Sequence, residues 1–210
     1  MNQIRTNFPE LSRANLFNAL LYADRKDMIS DLGAPAKGGQ IAEIGVALGD
    51  FSQFLLETLS PKRFVGFDLF ELHKLESIWG QETKNIFHGM SHYDFFKSRF
   101  SQYGQTVVAE KGFSHDALAR YPDEHFDLIY IDAEHTYDPV KRDAELAARK
   151  LTDTGLLIFN DYIMYDHFQN AHYGVVPVVN EMVVNQGWSV VGFALQPQMF
   201  CDIAIRRILR

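Results

Sequence analysis

The chain has 210 residues, a mass of 24.1 kDa and 47% apolar content, enough for one α/β domain with a substantial core. Twenty basic residues against 27 acidic ones give a net charge of −7 with no Lys/Arg-rich run to track phosphates, which argues against a nucleic-acid partner. The one cysteine, Cys201, cannot form an internal disulfide and reads as a core residue; residues 1–7 lack the apolar core of a leader, and no apolar run approaches a membrane span, so a cytoplasmic protein with no membrane partner is expected.

In chain order, residues 8–32 alternate apolar and polar groups at helical spacing, marked by Leu16, Leu20, Ala23, Asp27 and Ile29, until Gly33-Ala34-Pro35 and Gly38-Gly39 end the pattern. The spacing predicts one or two helices packed over the sheet rather than a substrate lid. Gln40 to Ile44 reads as a strand that breaks into a loop with Gly45 and Gly49, followed by a helix from Phe51 to Ser60 that Pro61 punctuates. Asp50 and Gln53 have capping-box spacing, so a helix N-terminus with free N–H groups, suited to an anion, is expected there. Glycine at 45 and 49 would let a ligand lie against the backbone. The Gly-x-x-x-Gly spacing misses the Gly-x-Gly-x-x-Gly of dinucleotide enzymes, and no Gly-Lys-Ser/Thr follows, which argues against NAD and ATP. The second strand, Arg63 to Phe67, ends at Asp68, about 20 residues beyond the glycine loop, where an acidic residue commonly accepts ribose hydroxyls. The front half therefore reads as a nucleoside site.

Residues 71–104 carry Phe87, Phe95, Phe96 and Phe100 around a helix expected from Tyr93 to Tyr103; the aromatics read as core, and His88 and His92 as structural or solvated. A third strand, Gln105 to Ala109, leads to Phe113, a candidate to flank an adenine, and Ser114, a candidate N-cap. Phe126 to Ile131 is a buried strand ending at Asp132-Ala133-Glu134-His135. Asp138-Pro139 opens a helix with Asp as N-cap, and Val140, Ala144, Ala147, Ala148 and Leu151 share one face. Thr152-Asp153-Thr154-Gly155 turns the chain into a second buried strand, Leu156 to Phe159, which ends at Asn160-Asp161. A right-handed crossover sets the two strands parallel, so Asp132 and Asp161 face one crevice at the carboxyl edge, where open α/β sheets bind ligands. Taken singly, each aspartate could as readily cap a loop.

Tyr162 to Tyr173 is an aromatic and histidine-rich loop beside that edge and a candidate substrate contact. Val178 to Asn185 is the last helix, and Trp188 to Leu195 pairs with Met199 to Ile208 across Gln196-Pro197-Gln198 as a hairpin. With no repeat or linker to divide it, the chain is expected to be a single domain over 1–210, with residues 1–39 a helical extension and 40–210 the core.

On Glu43-x-Gly45-x-x-x-Gly49, Asp68 after the second strand, Asp132, Asn160-Asp161 and the terminal hairpin, the chain resembles the class I S-adenosylmethionine-dependent methyltransferases over roughly residues 40–208. The resemblance implies a Rossmann-like seven-stranded α/β sheet of order 3-2-1-4-5-7-6, its last strand antiparallel, with helices on both faces. More narrowly, Ile131-Asp132-Ala133-Glu134-His135-x-Tyr137 with Val140-x-x-Asp143 looks like the metal-dependent macrolide-sugar (macrocin-type) O-methyltransferases, with catechol O-methyltransferase a more distant relative. In that branch the first aspartate and a later acidic pair bind Mg²⁺ and the histidine is the base. Here this implies Asp132, Asn160 and Asp161 as metal ligands and His135 as the base. Asn160 departs from the pattern, offering Mg²⁺ a neutral oxygen in place of a carboxylate. For the cofactor the resemblance implies Gly45, Gly49 and Ser52 at the methionine carboxylate, Glu43 at the ammonium, Asp68 at the ribose, Phe113 at the adenine, and Asp132 bordering both cofactor and metal.

Methyl transfer from a sulfonium is an in-line displacement, so the protein must align donor and acceptor and, for an alcohol, help remove a proton. Mg²⁺ lowers a hydroxyl's pKa, and a histidine can take the proton. The expected function is therefore Mg²⁺-assisted O-methylation of a small hydroxylated molecule, a sugar or phenol of secondary metabolism. Nothing in the sequence excludes a homo-oligomer. Two rivals remain: metal-independent transfer to nitrogen or another nucleophile, with Asp132 and Asp161 holding substrate, and a nucleoside-binding domain without catalysis.

Overall fold

The computed structural model describes residues 7–208 apart from Phe17; residues 1–6, most of the stretch on which the expectation of no leader rests, lie outside the described residues. In chain order the elements are β1 (Leu20–Tyr22), α1 (Arg25–Leu32), β2 (Gln40–Ile44), α2 (Asp50–Leu59), β3 (Arg63–Asp68), the short pair β4 (Ser77–Ile78) and β5 (Gln81–Glu82), α3 (Thr83–Ile86), α4 (His92–Arg99), β6 (Val107–Lys111), α5 (Ser114–Ala119), β7 (Phe126–Ile131), α6 (Tyr137–Lys150), β8 (Leu151–Phe159), the short pair β9 (Tyr165–Asp166) and β10 (Ala171–His172), α7 (Val175–Asn185), β11 (Trp188–Ala194) and β12 (Asp202–Arg207).

The central sheet has eight strands in the order β1-β11-β12-β8-β7-β2-β3-β6. From β6 to β11 this is the expected 3-2-1-4-5-7-6 arrangement, with β12 antiparallel to both β8 and β11. The chain therefore has a Rossmann-like α/β fold. Strand alternation divides the core into two layers. Ala42, Ile44, Phe67, Ile129, Ile131, Leu157 and Phe159 pack with α6 and α7, while Ile41, Phe64, Leu128, Tyr130, Leu156 and Ile158 pack with α1, α2 and α4. Register sets the functional edge: Ile44 pairs with Phe67 and Ile131, and Ile131 with Phe159. The next residue on each strand, Gly45, Asp68, Asp132 and Asn160, thus reaches the carboxyl edge at one level.

Several local expectations change. The eighth strand, β1, lies within the stretch read as purely helical; it pairs in parallel with β11 at the sheet margin, with Leu20 and Leu21 exposed. The helix α6 begins at Tyr137 with Thr136 before it, so Asp138 is inside the first turn and not the cap. Residues 152–155 do not turn: β8 starts at Leu151, and its pairing with β7 jumps from Phe126↔Leu151 to Leu128↔Leu156, a bulge that absorbs the extra residues. β6 runs two residues later than expected, after a 3-10 segment at Ser101–Thr106. Cys201 is buried, as read, with its thiol against the carbonyls of Leu195 and Met199. No helix among the described residues is long and apolar enough to cross a membrane.

Candidate active site

The first part of the carboxyl edge is built from β2, α2 and β3. Gly45 has φ +88°, and a Cβ there would overlap the backbone carbonyl of Asp132; Gly49 has φ +85°, and a Cβ there would lie 2.7 Å from the Phe100 ring. Both glycines are thus required by backbone conformation and by close packing. The loop between them is braced from α4: His92, fully buried, donates Nε2–H to the Ala47 carbonyl at 2.5 Å, and Arg99 donates to the Leu48 carbonyl at 2.8 Å. His92 is accordingly structural.

Asp68 closes β3 with both oxygens engaged on one side, Oδ2 accepting from Val46 N–H at 3.0 Å and Oδ1 from Phe70 N–H at 2.6 Å. Each oxygen keeps a lone pair for a further donor. The α2 N-terminus begins after Gly49 without a side-chain cap, so the capping box expected from Asp50 and Gln53 does not form. Gln53 instead bonds Glu57 and Arg99, and Asp50 pairs with Arg99 at 2.7 Å. An uncapped helix end leaves first-turn N–H groups available to an anion.

Glu43 is 1% exposed and accepts from the hydroxyl of Ser52, which is also buried. Burial pushes the Glu43 carboxyl up to about 8, with the Ser52 hydrogen bond opposing. These two residues brace α2 against β2, and neither is open to a ligand as expected from sequence. Phe113 is 60% exposed and stacks on His115, leaving a free aromatic face on the β6 side of the edge. Ser114 is not a cap; its hydroxyl donates to the buried Asp143 at 2.6 Å, tying α5 to α6.

Further along the edge, β7 and β8 bring three of the expected residues together. His135 Nε2 lies 3.5 Å from Asp161 Oδ2 and 3.7 Å from Asp132 Oδ1, and it is buried with no hydrogen-bond partner. Its ring stacks on Tyr173 at 4.5 Å and 15°, and the Tyr173 hydroxyl donates to Asp166 at 2.8 Å. Gly174 N–H binds the His135 carbonyl at 2.7 Å, so this histidine is clamped by the segment leading into α7. Asp161 holds a left-handed φ of +53°, a conformation tolerated by Asp, here at the site itself. Burial raises the Asp132 carboxyl, against His135 and Arg25, and lifts Asp161 to about 7.

A second layer was not read from the sequence. Strand alternation turns Tyr130 of β7 and Asp202 of β12 to the α1 face, where Tyr130 Oη donates to Asp202 Oδ2 at 2.7 Å. Arg25, the first residue of α1, donates to Tyr130 Oη at 2.8 Å, stands 3.8 Å from Asp132 Oδ2, and lies over the Phe51 ring at 4.2 Å. Asn160 is buried with its amide donating to Asp202 Oδ1 at 3.0 Å. Asn160 thus gives its amide N–H to Asp202 and keeps its amide oxygen, while the Arg25 guanidinium beside Asp132 places a fixed positive charge against the Mg²⁺ ligand set expected at Asp132, Asn160 and Asp161. Among the described residues, no group of three or more His, Cys, Asp and Glu is arranged to hold a metal ion.

A doubly wound sheet that gathers a carboxylate, an uncapped helix end and a histidine between two acids at its carboxyl edge has the arrangement in which such sheets bind ligands. A family model described as a methyltransferase domain matches residues 42–162, over half of the chain, and the chain belongs to that family: it is a methyltransferase. No curated protein sequence matches it. Among solved structures it is similar to a Staphylococcus aureus protein assigned as a caffeoyl-CoA O-methyltransferase, at 19% identity over 95% of this chain and 86% of that one, with a TM-score of 0.57. A Clostridium thermocellum protein assigned as an rRNA methylase is 14% identical over 88% and 94% of the two chains, with a TM-score of 0.61. An S-adenosylmethionine-dependent methyltransferase from Aquifex aeolicus is 13% identical over 95% of each chain, with a TM-score of 0.55. At these identities the likeness establishes the fold.

Proposed function

We propose that this methyltransferase takes its methyl group from S-adenosylmethionine and transfers it to a hydroxyl of a small molecule, a sugar or a phenol, with His135 as general base. The observation that carries the reading is the His135 Nε2, buried, unpartnered and set between Asp132 and Asp161 at the carboxyl edge. The Asp132-x-x-His135-x-Tyr137 spacing supports the macrolide-sugar branch, and the Arg25 guanidinium beside Asp132 weighs against the metal part of that likeness.

When bound, S-adenosylmethionine supplies a sulfonium methyl carbon open to in-line attack. Asp68 would accept the ribose hydroxyls, the first-turn N–H groups of α2 would receive the methionine carboxylate, and the exposed Phe113 face would cover the adenine. His135 Nε2 would take the acceptor's proton, and the adjacent carboxylates would stabilise the imidazolium so formed. Tyr165, Phe168 and His172 of the short β9–β10 hairpin offer aromatic faces to a ring-bearing acceptor beside this edge.

The test is transfer of labelled methyl from S-adenosylmethionine to a panel of catechols, flavonoids and glycosides, with the product's methylated atom located by mass spectrometry and NMR. Label on oxygen is the expected result. Transfer only to amines would replace the reading with the N-methyl alternative.

A further inference from the structure

The acids around His135 are accompanied by a cation that the chain itself supplies. Arg25 reaches the site from the N-terminus of α1, and it is fixed from two directions. Its guanidinium lies over the Phe51 ring at 4.2 Å, and NH1 donates to Tyr130 Oη at 2.8 Å while standing 3.8 Å from Asp132 Oδ2. The Tyr130 hydroxyl passes the interaction on to Asp202 Oδ2 at 2.7 Å. The remaining oxygen of Asp202 accepts from Asn160 Nδ2 at 3.0 Å and Gln196 Nε2 at 2.5 Å.

A Mg²⁺ ion requires a near-octahedral set of oxygens at about 2.0–2.1 Å, and a guanidinium beside one of the intended carboxylates repels a dication. Asn160 stands where the acidic pair of the metal-dependent branch has its first member, and Arg25 is brought in by the β1–α1 segment. One negative ligand is missing and one fixed positive charge is present in the same cluster.

We infer that Arg25 takes the place of a metal ion in this site, serving as the resident cation of the Asp132–Asp202 cluster, and that methyl transfer proceeds without a divalent metal. The inference rests on the proposed reading of the Asp132–His135–Asp161 crevice as the acceptor site. Arg25 is then a positioning residue: it holds Tyr130 and the carboxylates in place, and, having no Lewis-acid role, it leaves proton removal to His135 alone. Burial works against the Arg25 charge, but Tyr130, Asp202 and Asp132 outweigh it and keep the guanidinium protonated.

The experiment uses the full chain and Mn²⁺ as the probe, with binding followed by electron paramagnetic resonance in wild type, Asp132→Asn, Arg25→Met and Arg25→Lys, and turnover measured with and without EDTA. Wild type and Asp132→Asn are expected to bind Mn²⁺ equally weakly, and EDTA to leave wild-type turnover unchanged. Arg25→Met is expected to gain Mn²⁺ binding that a second Asp132→Asn change removes, and to lose turnover about tenfold, with Arg25→Lys recovering most of it. Wild-type Mn²⁺ binding that Asp132→Asn weakens tenfold, or turnover abolished by EDTA, overturns the inference. So does a folded Arg25→Met that gains no Mn²⁺ site, and a tenfold loss of S-adenosylhomocysteine affinity in that variant would assign Arg25 to the cofactor's carboxylate instead. If Arg25→Met does not fold, the wild-type and Asp132→Asn comparison decides alone. Absence of methyl transfer to every oxygen acceptor would sink the proposed function while leaving the Mn²⁺ result to stand on its own.

Discussion

His135 is held by what surrounds it rather than by a hydrogen bond at its reacting atom: Tyr173 stacks on the ring, Gly174 N–H takes the backbone carbonyl, and Nε2 is left unpartnered between two acids. On the proposed reading, a group so placed accepts a proton from a bound hydroxyl. His135→Ala should therefore lower turnover by a factor of about 10² while S-adenosylhomocysteine affinity, measured by calorimetry, stays within about twofold. Equal loss of both would identify a structural histidine. Asp68 differs because its carboxylate does two jobs, holding Val46 and Phe70 N–H on one side and, on the proposed reading, ribose on the other. Asp68→Asn keeps one acceptor for the backbone but removes the charge, and should weaken S-adenosylmethionine by about 2 kcal/mol. Unchanged affinity by calorimetry removes Asp68 from the cofactor site.

At the scale of elements, the site depends on β2 and β7 approaching closely where they end. Gly45 sits at that contact with φ +88°, and an added Cβ would overlap the Asp132 carbonyl. Gly45→Ala should cost about 2 kcal/mol or more, lowering Tm by about 4–8 °C, and should depress cofactor affinity and turnover together because it displaces both Asp132 and the loop. A Tm within 1 °C of wild type, roughly the noise of such a measurement, would show that the contact relaxes freely. The sequence made this edge legible because its cues are strong: branched and aromatic runs such as Phe126–Ile131 mark buried strands, and a polar residue after each run marks the edge. The pairing of Asp132 with Asp161 followed from the crossover rule alone. β1 escaped because three residues, two of them exposed, join the sheet through backbone hydrogen bonds and leave no alternation to detect. Arg25 escaped for a related reason: one arginine at a helix start has no local signature, and its partners are distant in sequence. Asp202 did carry a signal, since a carboxylate inside the apolar run Cys201-Asp202-Ile203-Ala204-Ile205 has to find partners once buried.

For the whole molecule, the acids gathered beneath the carboxyl edge tie stability to pH. Burial raises Glu43 to about 8 and Asp161 and Asp202 to about 7, while the ordinary values of these groups are 4.5 for Glu and 3.8 for Asp. Between those limits the folded chain holds protons that the unfolded chain has released. The stabilisation is therefore complete below the ordinary carboxylate values and is lost as pH rises through the folded ones. His92 and His125, pushed below 6.5 by burial, act in the opposite sense: their contribution is complete above 6.5 and is lost as pH falls. Above 6.5, then, only the acids still change protonation among these groups. Thermal unfolding should show Tm falling by on the order of 5 °C between about pH 6.5 and 8.5. Glu43→Gln, which keeps an acceptor for the Ser52 hydroxyl without the ionisable group, should flatten the upper part of that fall, its Tm exceeding wild type's increasingly above about pH 7.5. A wild-type Tm that is level or rising across the window would mean that these carboxyls ionise in the folded chain as they do in water, and that the layer beneath the carboxyl edge is more open to solvent than its packing indicates.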